Sequence, residues 1–284
     1  MKKNLPGYNI EIVKRRNKEL QEKCEKEIKP KIAVMYFPGN NCEEETKDRC
    51  IDVGMDARIV RWNTKENLSI FDGYIIPGGF SYEDRIRAGV IAAKEKVMDK
   101  IRDEIKNGKP LLGLCNGAQV LVETGLIPGL KNRVQMALAP NTNPLVSGYY
   151  DAWVYIKAVS NKNNAFNQFY EKNEIIKIPV AHGEGRFTSK DSTLIEQLEK
   201  TRQITFKYCD EKGMIIDKFP INPNGAVNNI AAISNKEGNV MAMMPHPERA
   251  SYNWMIPDSI KNNQKTNAIK IFESMKKYIL GNKL

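Results

Sequence analysis

Histidine and cysteine are scarce in this chain, two and five in 284 residues. An odd number of widely spaced cysteines provides no disulfide framework. Neither the cysteines nor the two histidines, His182 and His246, show the spacings that hold a structural zinc ion, so no metal site is expected. No apolar run approaches the roughly 18 residues of a membrane span. The start, Met1-Lys2-Lys3-Asn4-Leu5-Pro6, lacks the apolar core of a secretory leader. A reducing, cytoplasmic setting with no membrane partner is the expectation. The phosphate loop Gly-x-x-x-x-Gly-Lys-Ser/Thr is also missing, so this chain is expected to bind no ATP. Lys and Arg outnumber Asp and Glu by 44 to 34, a net charge of +10. No basic run is interleaved with aromatics as a nucleic-acid groove requires, so that surplus reads as a solvated surface and no nucleic acid is expected.

What is present centres on Pro110 to Gly125. Leu111-Leu112-Gly113-Leu114 reads as a short buried strand and Ala118 to Glu123 as a helix stopped at Gly125. Between them, Gly113-Leu114-Cys115-Asn116-Gly117 has the form Gly-x-nucleophile-x-Gly, with cysteine as the nucleophile. Glycines allow the sharp turn from strand to helix, which presents the thiol at the tip. A helix N-terminus there favours the thiolate that a nucleophilic cysteine must become. Five residues alone are equally those of a buried, inert cysteine.

In chain order, residues 1–29 form a charged segment anchored by few apolar residues, read as an exposed helical extension outside the core. Residues 30–284 form one domain. Lys31 to Phe37, Asp56 to Trp62, Phe71 to Ile76 and the elbow strand are expected strands. Helices are expected over Glu43 to Val53 and most of Ser81 to Asn107. That alternation predicts an α/β fold with a doubly wound, Rossmann-like sheet, whose sites lie beyond the C-terminal strand ends. The loops Pro38-Gly39, Pro77-Gly78-Gly79 and Cys115-Asn116 would meet there. Further strands are expected over Ala152 to Val159 and Ile175 to Ala181. A hairpin is expected from Ile230–Ile233 and Val240–Met244, and an amphipathic helix over Thr266 to Leu280.

Two glycines after a strand let backbone N–H groups approach a ligand closely. The amides of Gly79 and Asn116 are therefore the expected oxyanion donors for acyl transfer. A thiol nucleophile also needs a base, and the base an orienting group. Both histidines open a His-x-Glu unit: His182-Gly183-Glu184 and His246-Pro247-Glu248. In an extended chain, residues i and i+2 project to one side. Pro247 fixes its own backbone and pushes His246 into the extended region, whereas Gly183 leaves its unit loose. This favours His246 over His182 and leaves both as candidates.

Gly113-Leu114-Cys115-Asn116-Gly117-Ala118-Gln119 together with Pro245-His246-Pro247-Glu248 resembles the class I glutamine amidotransferases. Phe37-Pro38-Gly39-Asn40-Asn41-Cys42, Pro77-Gly78-Gly79-Phe80-Ser81-Tyr82, His182-Gly183-Glu184-Gly185-Arg186-Phe187 and Asn222-Pro223-Asn224-Gly225 narrow it. They are similar to the glutaminase-subunit family of phosphoribosylformylglycinamidine synthases, from about Lys31 to Leu280. The resemblance implies a Cys115–His246–Glu248 triad and glutamine contacts around Gly78, Gly79 and Gln119. It places His182 and Glu184 near the substrate or a partner. It also implies that ammonia made from glutamine passes to a separate synthetase subunit using ATP and Mg²⁺, with a small accessory subunit alongside. A glutaminase serving another synthetase and a non-catalytic, amidotransferase-like binding module are the alternatives. This chain has Glu83-Asp84 and Asp151-Ala152 where that family usually has Gly-Asp and Cys-Arg.

Overall fold

The fold is seen in a computed structural model that describes residues 29–131, 133–142, 148–160 and 164–283. The helix expected over residues 1–29 falls, but for Lys29, outside the described residues. Strand β1 (Lys31–Tyr36) is followed by helix α1 (Glu43–Asp52), β2 (Asp56–Arg61) and β3 (Gly73–Ile76). Helix α2 (Lys96–Lys106), β4 (Leu111–Leu114) and α3 (Asn116–Glu123) come next. Then follow β5 (Ala137–Ala139), β6 (Tyr150–Ala158), β7 (Ile175–His182), β8 (Arg186–Thr188), α4 (Ser192–Lys200) and β9 (Ile204–Cys209). The chain closes with β10 (Ile230–Ser234), β11 (Val240–Met243) and α5 (Lys270–Lys283).

Nine strands form one sheet in the order β2-β1-β3-β4-β11-β10-β9-β6-β7. From β2 to β11 the pairing is parallel, and from β11 to β7 it is antiparallel. The parallel strands β3, β4 and β11 are buried at every position. Their sequences, Gly-Tyr-Ile-Ile, Leu-Leu-Gly-Leu and Val-Met-Ala-Met, show no polar alternation because both faces are covered. Helix α2 buries Val97, Met98, Ile101 and Ile105 as an apolar stripe. Against the start of β3, a methyl group on Gly73 would stand 2.7 Å from Met275 Cε of α5. A small residue is needed there for α5 to lie close. No helix among the described residues is long and apolar enough to cross a membrane.

The doubly wound half, the elbow and the β10–β11 hairpin follow the sequence expectation. One expected helix does not. Between Ser81 and Lys94 there are only two short 3-10 turns, and α2 begins at Lys96. Tyr82, Glu83, Asp84 and Ile86 all adopt positive φ, between 52° and 72°. Those left-handed conformations are costly without glycine. Tertiary contacts hold them: Asn116 Oδ1 accepts from Ser81 N at 3.1 Å, and Glu184 Oε2 accepts from Ala88 N at 3.3 Å. Strand β9 and helix α4 are additions to the expected elements, as are the small strands β5 and β8.

Candidate active site

Cys115 stands between β4 and α3 with φ 48° and ψ −105°, a strained backbone for a residue with a side chain. Its glycine neighbours explain how the turn closes. A methyl on Gly113 would meet Gly117 O at 2.6 Å, and one on Gly117 would meet Ile76 O at 2.0 Å. The strand, the turn and the first helical turn thus pack backbone to backbone. Gly117→Ala is expected to cost about 1–3 kcal/mol or more, as overpacking does, read as a lowered denaturant midpoint. An unchanged midpoint would show that α3 can move away from β3 freely.

Backbone bonds hold the thiol in place. Cys115 N donates to Met243 O at 2.8 Å, tying the elbow to β11. Its sulfur donates to Ala181 O of β7 at 3.5 Å. Since β11 leads directly into Pro245-His246, the same strand that steadies Cys115 delivers the imidazole. His246 N in turn donates to Pro179 O at 2.9 Å. His246 and Glu248 are 2% and 0% exposed, with Nδ1 and Oε1 only 2.5 Å apart. The pair does not sit in an extended chain as expected: Pro247 opens a short 3-10 turn, Pro247–Arg249, and that turn carries Glu248 back to its histidine.

Burial alone would favour the neutral His246 ring. The Glu248 carboxylate, and after it the Cys115 sulfur, outweigh that and hold its pKa well above the ordinary histidine value. Nε2 is buried and makes no well-formed hydrogen bond among the described residues. The sulfurs of Cys115 and Cys42 interact with the ring more loosely. Catalytic hydrogen bonds in free enzymes are often long and tighten with substrate.

His182 has a different environment. Burial, and then the charge on His246, lower its pKa to about 3, so it is neutral at ordinary pH. Its Nδ1 faces Asn141 Oδ1 at 3.2 Å. A methyl on Gly185 would come within 2.5 Å of three ring atoms, so that glycine makes room for the imidazole. Glu184 does not orient His182. Its carboxylate takes Ala88 N at 3.3 Å, and its backbone O accepts Gln119 Nε2 at 2.7 Å. The two His-x-Glu units therefore behave differently: only the one with proline joins its own histidine and glutamate.

These groups surround a cavity of about 210 Å³, lined by Gly79, Cys115, Gln119, His182, Glu184 and His246 among others. That is below the roughly 300–1,000 Å³ of pockets for drug-sized ligands, and suits a metabolite of amino-acid size. Gly79, at φ +138°, is in a conformation open to glycine, and a methyl there would strike Asn40 Cα at 2.6 Å. Asn116 begins α3, where first-turn amides have no intrahelical acceptor. Its side chain is fully buried and bonds Ser81 N, Gln119 Oε1 and Asp84 Oδ1. Gly78 lies beneath the cavity instead of lining it, against His246, Cys42 and Cys115.

Sequence reasoning did not single out Asp84, Cys42 or Arg249, which also line the cavity. Asp84 is pushed up to about 6 by burial and then by the charge of Glu184. Burial also holds the Cys42 thiol above its ordinary pKa. Arg249 follows Glu248 directly and donates through Nη2 to Cys42 Sγ at 3.0 Å and through Nε to Glu45 at 2.6 Å. Its place immediately after the His-Pro-Glu unit was the available signal. A sulfur at the head of a helix, beside an imidazole braced by a carboxylate, is an arrangement for attack on a carbonyl carbon.

The family of CobB/CobQ-like glutamine amidotransferase domains matches residues 29–279. Subunit PurQ of phosphoribosylformylglycinamidine synthase from Methanothrix thermoacetophila is 47% identical over 260 residues, covering 88% of this chain and 98% of its own length. The PurQ subunit from Aquifex aeolicus is 43% identical over 222 residues, covering 78% and 91%. Among solved structures, PurLQS from Thermotoga maritima matches with a TM-score of 0.70 at 29% identity, over 88% of this chain and 99% of the matched one. The chain belongs to the glutamine amidotransferase family that includes these PurQ subunits of phosphoribosylformylglycinamidine synthase.

Proposed function

We propose that this chain is the glutaminase subunit of a phosphoribosylformylglycinamidine synthase, with Cys115 as nucleophile, His246 as acid and base, and Glu248 orienting His246. The observation that carries this reading is the strained Cys115 elbow sharing one small cavity with the His246–Glu248 pair. The Cys115 thiolate attacks the side-chain carbonyl carbon of glutamine. The amides of Gly79 and Asn116 receive the developing oxyanion. Protonated His246 gives its proton to the departing nitrogen, releasing ammonia and leaving a thioester. The neutral ring then takes a proton from water, whose hydroxide attacks the thioester and frees glutamate. The carboxylates of Asp84 and Glu184 supply negative charge for the α-ammonium group. Gln119 braces that wall through Asn116 and the Glu184 backbone.

Ammonia then passes to the synthetase subunit, which uses ATP and Mg²⁺ to convert formylglycinamide ribonucleotide to formylglycinamidine ribonucleotide, assisted by a small accessory subunit. The setting is the cytoplasm, where the thiol stays reduced. High identity across nearly the whole of the PurQ relatives supports the pathway. Ammonia made without an acceptor wastes glutamine, so the site benefits from being idle alone. The Gly79 peptide is a route to that state, because glycine there lets the N–H turn away from the oxyanion.

The test measures glutamate and amidine from glutamine for the chain alone, with the synthetase, and with synthetase plus nucleotide substrates. Docking is expected to raise glutamate release at least about tenfold, within the 10²–10³ that one oxyanion donor supplies. Full activity in the isolated chain would end the gating idea, and no amidine from any synthetase combination would end the pathway reading.

A further inference from the structure

Cys42 is a buried nucleophile that the glutaminase reaction does not use. It is 1% exposed, opens helix α1, and lines the same cavity as Cys115 and His246. The His246 ring and the Cys42 sulfur converge over Gly78. A methyl there would stand 2.9 Å from His246 Cε1, 3.0 Å from Cys42 Sγ and 3.5 Å from Cys115 Cβ. A ring nitrogen of His246, Cys42 Sγ and a Glu248 carboxylate oxygen all lie within 4.8 Å of one another. His246 Nε2 is buried and makes no well-formed hydrogen bond among the described residues, with the sulfurs of Cys115 and Cys42 as its looser neighbours.

We propose that Cys42 Sγ, Cys115 Sγ and His246 Nε2 form a soft-metal site that takes one zinc ion and, while it is held, silences the glutaminase. The proposal rests on the reading of Cys115 and His246 as nucleophile and base. Two sulfurs and one imidazole are a zinc ligand set, with water in the fourth position. At metal–ligand distances of about 2.3 Å for sulfur and 2.0–2.1 Å for nitrogen, tetrahedral ligand atoms stand roughly 3.5 Å apart. Cys42 Sγ and a His246 ring nitrogen lie within 4.8 Å of each other, so rotation of about an ångström closes that gap. Cys115, whose Cβ faces the same point over Gly78, brings its sulfur in by rotation about its Cα–Cβ bond. The outer contact is already built. A zinc-bound histidine donates its other ring N–H to a carboxylate, and Glu248 holds His246 Nδ1 at 2.5 Å.

Charge balances as well. The two sulfurs and His246 Nε2 release the protons they carry to solvent, and two thiolates, a neutral imidazole and one Zn²⁺ give a neutral cluster beside the Glu248 carboxylate. Arg249 Nη2, 3.0 Å from Cys42 Sγ, remains paired with Glu45. The ligands come from three separate loops, which is why neither histidine nor cysteine spacing disclosed them. The proposal departs from the sequence expectation of no metal site because it joins side chains distant in sequence.

The experiment titrates the metal-stripped full-length chain with zinc buffered by a chromogenic chelator, and separately with cobalt as a spectroscopic probe. One equivalent is expected to bind, with a thiolate-to-cobalt charge-transfer band of two-sulfur intensity. Cys42→Ser and Cys42→Ala are each expected to weaken zinc binding at least about tenfold, the lower edge for disturbing even an outer-shell partner. The cobalt band should fall to about half in either variant. Glutamate release by the wild-type chain should stop as zinc saturates and return with chelator. Unchanged affinity and band intensity in both Cys42 variants would overturn the proposal, as would failure of the wild-type chain to bind an equivalent. Cobalt binding reports the metal site without turnover, so a catalytically active Cys115→Ser variant would refute the nucleophile assignment separately.

Discussion

Cys115→Ser is expected to abolish glutamine-dependent amidine formation while the assembled synthase still works with added ammonium salt. On the proposed reading the Cys115 sulfur forms the thioester, and its backbone is fixed from both sides. Cys115 N is bonded to Met243 O at 2.8 Å, and Gly117 presses directly on Ile76 O. Serine fits the same turn, so the elbow, cavity and complex remain while the nucleophile becomes a hydroxyl of far higher pKa. Deleting the nucleophile of a coupled catalytic set costs about 10⁶-fold in kcat in a well-measured protease, and a loss of that order is expected here. Two assays on one preparation decide the matter: glutamate release, and amidine formation with ammonium salt in place of glutamine. If the intact variant complex also failed with ammonium, this subunit would be doing more than making ammonia.

The elbow was legible in sequence because its reason is local. Gly113 meets Gly117 across a single turn, so the five residues contain most of the geometry, and only the contact of Gly117 with Ile76 comes from outside them. The His246–Glu248 pair was legible from its local unit as well, although Pro247 starts a 3-10 turn there and not the extended run expected. Ser81 to Lys94 was misread because its conformation is imposed from elsewhere. Its composition allows a helix, but hydrogen bonds donated by Ser81 N to Asn116 and by Ala88 N to Glu184 favour left-handed backbone at several non-glycine positions. Strand β9 is a different kind of omission: Ile204-Thr205-Phe206-Lys207-Tyr208-Cys209 carries β-branched and aromatic residues in plain alternation. Cys42 and Arg249 were invisible as site residues for a third reason. Cys42 reaches the cavity because α1 and the loop after β11 pack together, and Arg249, though next to Glu248 in sequence, shows its contact with Cys42 only in that packing.

The two histidines should separate cleanly under mutation, and their environments say how. His246→Asn keeps a polar side chain of similar size next to Glu248 but cannot carry a proton between sulfur, departing nitrogen and water. Loss of a general acid and base costs about 10²–10⁴-fold in kcat, and that range is expected for glutamate release in the complex. His182 has its pKa lowered to about 3, by burial first and the neighbouring positive ring second, so it exchanges no proton between pH 5 and 9. His182→Asn is therefore expected to act on KM for glutamine or on coupling to the partner. The shape of its pH–rate profile should match that of the wild-type chain. Its Nδ1 contact with Asn141 and the cradle at Gly185 make it a wall of the cavity. Steady-state kinetics of both variants from pH 5 to 9 make the comparison. A profile whose acid limb vanished in His182→Asn, with His246→Asn near normal in kcat, would reverse the two roles.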